Sequence, residues 1–222
     1  MNYFIFILAS SIEYFGTFMF MFALFRFRIY SQMIINVLFV SFLMSQVSYF
    51  TRLNPEIGDL STYIQFVLFI LIVWILFRVP LFHSIIMNFA GIAAAIVIQG
   101  LIILLLSQST GLTASEMLAN IWIASSFQVL LAIFEIALAR TIVIFNLGFD
   151  FVPTSPRSDV RIRGTNAVLM GIIIFAIVLA ALMAYLFRTD PDIYVIGASI
   201  VFLLTLPIFI YFSIRKDFED AA

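Results

Sequence analysis

Seven stretches of the chain, each about twenty residues long and almost free of charge, follow one another with short polar breaks. They fall at about 3–25, 32–51, 61–77, 81–106, 117–139, 167–187 and 193–213. About twenty helical residues cross a hydrocarbon core of roughly 30 Å. A helix satisfies all its own backbone polar groups there, which no open strand can do. The expected fold is therefore all-α: one domain over residues 1–222, a bundle of about seven transmembrane helices. The third run is the shortest, and Pro80, which has no amide to donate, is expected to end it.

Hydrophobic residues make up 64% of the 222 and charged ones 10%, against about half and a quarter in soluble domains. The longest polar segment, 140–166, is itself interrupted by apolar residues, so a kinase, nuclease or nucleotide-binding module has no room. The chain has no cysteine and a single histidine, His83. That excludes disulfides, thiolate metal sites and a multi-histidine site within one chain, and no cofactor is expected.

Basic residues set the direction. With the amino terminus outside, Arg26, Arg28, Arg78, Arg140, Arg157, Arg161, Arg163, Arg215 and Lys216 fall on the cytoplasmic side, and only Arg52 and Arg188 outside. Such a bias marks the cytoplasmic face, which places the carboxyl terminus there. Glu56, Asp59, Glu116, Asp190 and Asp192 fall in the outer loops. The first run is not a cleaved signal peptide, because its positive charges follow the apolar stretch instead of preceding it. The expected location is the multi-pass cell membrane of a bacterium.

One repeat is visible: Phe25-Arg26-x-x-Ile29-Tyr30-x-x-x-Ile34-x-Asn36 recurs as Phe77-Arg78-x-x-Leu81-Phe82-x-x-x-Ile86-x-Asn88. It relates the first two helical hairpins in parallel, an arrangement known from some transporters. Between the fifth and sixth spans, Phe145-Asn146-Leu147-Gly148-Phe149-Asp150-Phe151 alternates apolar and polar residues. That pattern suits either a segment lying along the cytoplasmic interface or a wandering loop.

Polar side chains in hydrocarbon are expensive and serve packing or function. Glu13, near the middle of the first span, is the leading candidate for ligand contact or a proton-coupled step; the bland reading is an interhelical hydrogen bond. Glu135 is expected to pair with Arg140 as a structural group. Gln46, Ser48, Gln65, Gln99 and Gln128 lie in the middle or outer half of their spans, with Asn120, Ser125 and Ser126. Ser41, Ser45 and Ser48 share one helix face. With Glu13 these residues form a candidate ligand-binding cavity open to the outside, although interhelical hydrogen bonding is the ordinary use of such groups. Gly91-x-x-x-Ala95 permits close helix packing, within the chain or across a homodimer. No catalytic motif is present, and the arginines at 157–163 suit anionic lipid headgroups better than nucleic acid.

Ser11-Ile12-Glu13-Tyr14 running to Phe25-Arg26, Gly148-Phe149-Asp150-Phe151-Val152-Pro153, and Arg215-Lys216-Asp217-Phe218-Glu219-Asp220 resemble the sensor half of accessory-gene-regulator-type peptide-sensing histidine kinases. The resemblance implies a secreted peptide ligand bound at the outer face, and signalling through a dimer or a membrane partner. It does not extend to the kinase half, which would follow the last span, so it implies a sensor unit that stands alone or belongs to a longer chain. Two functions stay open: a non-enzymatic receptor for an extracellular peptide or small apolar ligand, and a small transporter or channel using Glu13. A scaffold subunit is a weaker third.

Overall fold

The computed structural model describes residues 2–54, 60–153, 163–187 and 191–221, and among these the chain is helical with no strand. The elements are α1 (Tyr3–Leu24), α2 (Ser31–Leu53), α3 (Ser61–Ile75), α4 (Leu81–Thr110), α5 (Ala114–Ala119), α6 (Ile121–Ile144), α7 (Thr165–Leu186) and α8 (Pro191–Ala221). Six are long and apolar enough to cross a membrane; α3 is apolar but has only 15 residues. This is an all-helical membrane protein. Arg157, Arg161, Glu56, Asp59, Arg188 and Asp190, used above to argue orientation, lie outside the described residues.

Helix ends depart from expectation where polar side chains take over. The fifth run was expected over 117–139, but Asn120 interrupts it: its Oδ1 accepts from the amides of Trp122 (3.0 Å) and Ile123 (3.4 Å), capping α6. A short α5 precedes it, and α6 continues to Ile144. Similarly, α3 ends at Ile75, ahead of Pro80, which sits instead at the start of α4.

Helix α1 is the hub, packing most extensively on α6 and α2 and also touching α4. Its aromatic face locks into α3 and the turn after it, with ring centroids 4.5 Å apart for Phe18–Phe69 and 4.8 Å for Phe22–Phe77. Such pairs add about 0.5–1.5 kcal/mol each beyond their burial. By contrast, α7 leaves Ile174, Phe175, Val178 and Tyr185 exposed, as a helix facing lipid does.

Helices α1 and α6 run parallel and in step. Gly16 abuts Ala132, Thr17 bonds Glu135, and at the far end the Phe149 amide donates to the Leu24 carbonyl at 2.8 Å. The repeat is visible in the backbone too: Arg26 (φ 49°) and Arg78 (φ 56°) both adopt the left-handed conformation after a helix end. Asn146 (φ 52°) does the same after α6, a third instance that the sequence comparison missed. The ends of α1 and α6 have the same hydrogen-bond pattern, Phe27 N–H to Phe22 and Arg26 N–H to Ala23 in one, Leu147 N–H to Ile142 and Asn146 N–H to Val143 in the other. This is the paired closure that satisfies terminal carbonyls. The matched asparagines, however, differ: Asn88 is buried and donates to the Phe66 carbonyl at 2.9 Å, whereas Asn36 is half-exposed beside Gln32.

The segment after α6 divides in two: Phe145 and Leu147 are exposed, while its second half folds under the bundle. Phe149, Phe151 and Val152 are buried in the bundle's base, against Phe25 and His83. Arg26 forms an ion pair with Asp150 and donates to the Asn146 carbonyl at 2.7 Å. Asp217 of α8 accepts from the amides of Asp150 and Phe151, both at 2.8 Å. Gly148 (φ 124°) permits the docking, since a β-carbon there would stand 2.7 Å from the Leu24 carbonyl oxygen.

Candidate functional site

At the end of the bundle where α1, α3, α6 and α8 begin, a cavity of about 400 Å³ opens between α1, α3, α4 and α6. Glu13, Gln65, Gln99 and Gln128 line it, one from each of these four helices, with Tyr14, Thr17 and Ser125 among their neighbours and Arg52, from the end of α2, also on the wall. Glu13 is only half-buried because it faces this space. The Gln128 amide and the Arg52 charge both act on its carboxyl. Arg52 is held over the Phe6 ring, 5.6 Å from its centroid, a cation–π placement.

Gln46 and Ser48, also expected in the site, are elsewhere. Gln46 is turned to the α1 side, where it accepts from the Tyr3 hydroxyl at 2.6 Å. Ser48 stands behind Gln65 and accepts from its amide at 3.0 Å. The same amide donates to Ser61 at 2.8 Å, and the Tyr14 hydroxyl donates to the Gln65 carbonyl. Gln65 therefore reaches the cavity with both ends of its amide already fixed. The serine stripe of α2 packs against neighbouring helices: Ser45 bonds Ser11 at 2.9 Å, and Ser41, Ser45 and Ser48 are all fully buried.

Glu135 is not paired with Arg140. Five helical residues set two side chains roughly 140° apart around the axis, so Arg140 is exposed while Glu135 points inward and is 0% exposed. Thr17 Oγ1 lies 3.1 Å from each Glu135 carboxylate oxygen. Glu13 is within electrostatic reach of the same group. The cavity thus has a second carboxyl behind it, screened by one threonine. Thr17 was legible in principle, since it stands four residues after Glu13 and so on the same helix face.

A second cleft of about 320 Å³ lies on the other side of α4, between α3, α7 and α8. It shares Arg52, Thr62, Phe66, Ile92, Ile96 and Gln99 with the first, so the two adjoin along one seam. Sequence reading missed it because its walls, such as Phe89, Ala198 and Phe202, look like ordinary membrane packing.

Among the described residues no group of three or more histidine or acidic side chains is placed to hold a metal ion. Comparison of the chain with protein-family models, curated proteins and solved structures gives no match.

Proposed function

We propose that this chain is a seven-span protein of the bacterial cytoplasmic membrane, amino terminus outside, acting as a non-catalytic receptor-like module. Its ligand, an extracellular peptide or small apolar molecule, occupies the cavity beside Glu13. The observation that carries this reading is the meeting of Glu13, Gln65, Gln99 and Gln128, from four helices, on one open cavity. Four polar side chains kept at one apolar site fit ligand recognition better than four separate packing bonds.

The parallel register of α1 and α6 supports the count, because the chain must cross four times between their starts, which makes α3 a crossing. At 1.5 Å per residue α3 spans about 22 Å, so the bilayer thins there or polar flanks enter it. The outward direction rests on Arg26, Arg28, Arg78, Arg140 and Arg163 falling at the end opposite the cavity. The resemblance to peptide-sensing kinase sensors is consistent with this reading.

The test is solvent extraction of the protein purified from its native membranes, with mass spectrometry of what is released. Wild type is expected to retain a ligand that the Leu131→Trp variant, filling the cavity wall, loses. Equal contents in both would overturn the reading.

A transporter is the second reading, favoured by the Glu13–Thr17–Glu135 line, where one bound proton or monovalent cation would relieve two carboxyls of their repulsion. It requires pH-dependent solute flux in proteoliposomes that Glu13→Gln abolishes.

A further inference from the structure

We infer that the ligand is a single-chain amphiphile with a zwitterionic head, the head lying beside Glu13 and Arg52 and the chain running into the cleft between α3, α7 and α8. This deepens the proposed function and rests on the cavity being the ligand site.

Three observations carry it. First, the two spaces adjoin along six shared wall residues but differ in chemistry. The first holds Glu13, Gln65, Gln128, Tyr14 and Thr17 among apolar side chains; of the residues that belong to the second alone, Phe89, Ile177, Ala180, Val195, Ala198 and Phe202 are apolar and Tyr63, Tyr194 and Ser199 are polar. A more polar compartment beside a more apolar one matches a molecule with the same division. Second, one carboxyl and one guanidinium, Glu13 and Arg52, line the head compartment together. A singly charged head pairs with one and leaves the other unmatched in a low-dielectric site, while a zwitterion satisfies both. The amides of Gln128 and Gln99 donate to and accept from such a head.

Third, the cleft is bounded on one side by helices that do not pack closely on each other. Helix α3 packs on α2 and α4, and it faces α7 and α8 across the cleft without substantial packing among the described residues. A chain can therefore enter from the bilayer while its head moves laterally to Glu13. Close approach of α4 and α8 narrows the cleft toward its outer end: a β-carbon on Gly100 would collide with Ser199, whose hydroxyl donates to the Val195 carbonyl at 2.8 Å. A folded peptide has no need of a lateral apolar slot of this kind.

The probe is lysophosphatidylethanolamine with a medium-length chain bearing a diazirine at its terminal carbon, added to the full chain in nanodiscs and photolysed. Crosslinks are expected on the α4 and α8 segments that hold Phe89, Ala198 and Phe202. Ala198→Trp should remove them, with correct folding of the variant checked by its thermal transition. Unlabelled zwitterionic lysolipid should compete about tenfold better than an alkyl phosphate or an alkylamine of equal chain length, the loss expected when one charged hydrogen bond goes unmade. Labelling confined to the lipid-facing side of α7, or equal competition by all three heads, overturns the inference. If the extraction experiment still yields a ligand in that case, the receptor reading survives and only the ligand class falls. If labelling is absent and no ligand is extracted, both fall.

Discussion

Gly16 of α1 lies so close to Ala132 of α6 that a β-carbon on the glycine would stand 2.9 Å from the Ala132 Cα and 2.9 Å from a Glu135 carboxylate oxygen. This contact fixes how deeply the two parallel helices interlock, and therefore where Thr17 meets Glu135 and where Gln128 faces Glu13. Backbone on one side leaves no flexible group to yield. Gly16→Val is expected to destabilise the protein by about 1–3 kcal/mol through overpacking, seen as a lowered thermal transition in detergent. An unchanged transition would mean that α1 and α6 are not in this register.

Thr17→Val keeps the shape but removes the hydroxyl donor to Glu135. Leaving a buried acceptor unmatched costs about 1–3 kcal/mol. Adding Glu135→Leu removes the acceptor as well, and the double variant is expected to be more stable than Thr17→Val alone. The coupling expected from such a double-mutant cycle is about 0.5–3 kcal/mol; strictly additive effects would show that the two groups do not interact.

Arg78 holds a left-handed conformation (φ 56°) that costs a residue with a β-carbon roughly 1–2 kcal/mol. Arg78→Gly is expected to raise stability by up to about 1 kcal/mol. Arg26→Gly relieves the same strain but forfeits the bonds to Asp150 and the Asn146 carbonyl, so its gain is smaller. Hydrogen exchange should also quicken at residues 147–152 in that variant alone, as the docked segment loosens.

Glu116 lies in α5, outside the long helices. Its carboxylate accepts the Thr113 amide at 2.8 Å while the Thr113 hydroxyl accepts the Glu116 amide at 3.2 Å, closing a capping box, and the same hydroxyl lies 2.9 Å from the carboxylate. The Thr113 backbone bond, then its side-chain bond, hold the carboxyl below its ordinary 4.5. A depressed carboxyl contributes stability above its unfolded pKa and loses it as pH falls through the folded value. Amide protection factors in Ala114–Ala119, taken relative to the intrinsic exchange rate at each pH, should therefore fall below about pH 4.5, and Glu116→Gln should flatten that dependence.

Hydropathy alone revealed the long helices, because a bilayer demands length and apolarity whatever the packing. It did not reveal their faces: Phe18 is fully buried and Phe175 faces lipid, yet both are phenylalanine in an apolar run. Lipid and protein interior select similar side chains, which erases the amphipathic pattern that marks a soluble helix. Polar residues kept some signal. Glu13, Gln65, Gln99 and Gln128 share one cavity as expected, whereas Gln46 and Ser48, equally polar and nearly as deep, bond to Tyr3 and Gln65 instead. Only rotation about the helix axis separates the two groups, and sequence carries little of it. The apolar cleft left no trace, and Phe149 and Phe151 looked like interfacial anchors until Gly148 brought them beneath α1.

Because the chain has no native cysteine, single-cysteine labelling tests the outward-open cavity most directly. Gln128→Cys, halfway along the cavity's α6 wall, is expected to react with a membrane-impermeant thiol reagent applied to intact cells. Phe175→Cys, exposed on the lipid face of α7, is expected not to. Reaction of Gln128→Cys only after the cytoplasmic side is opened, or not at all, would contradict the account.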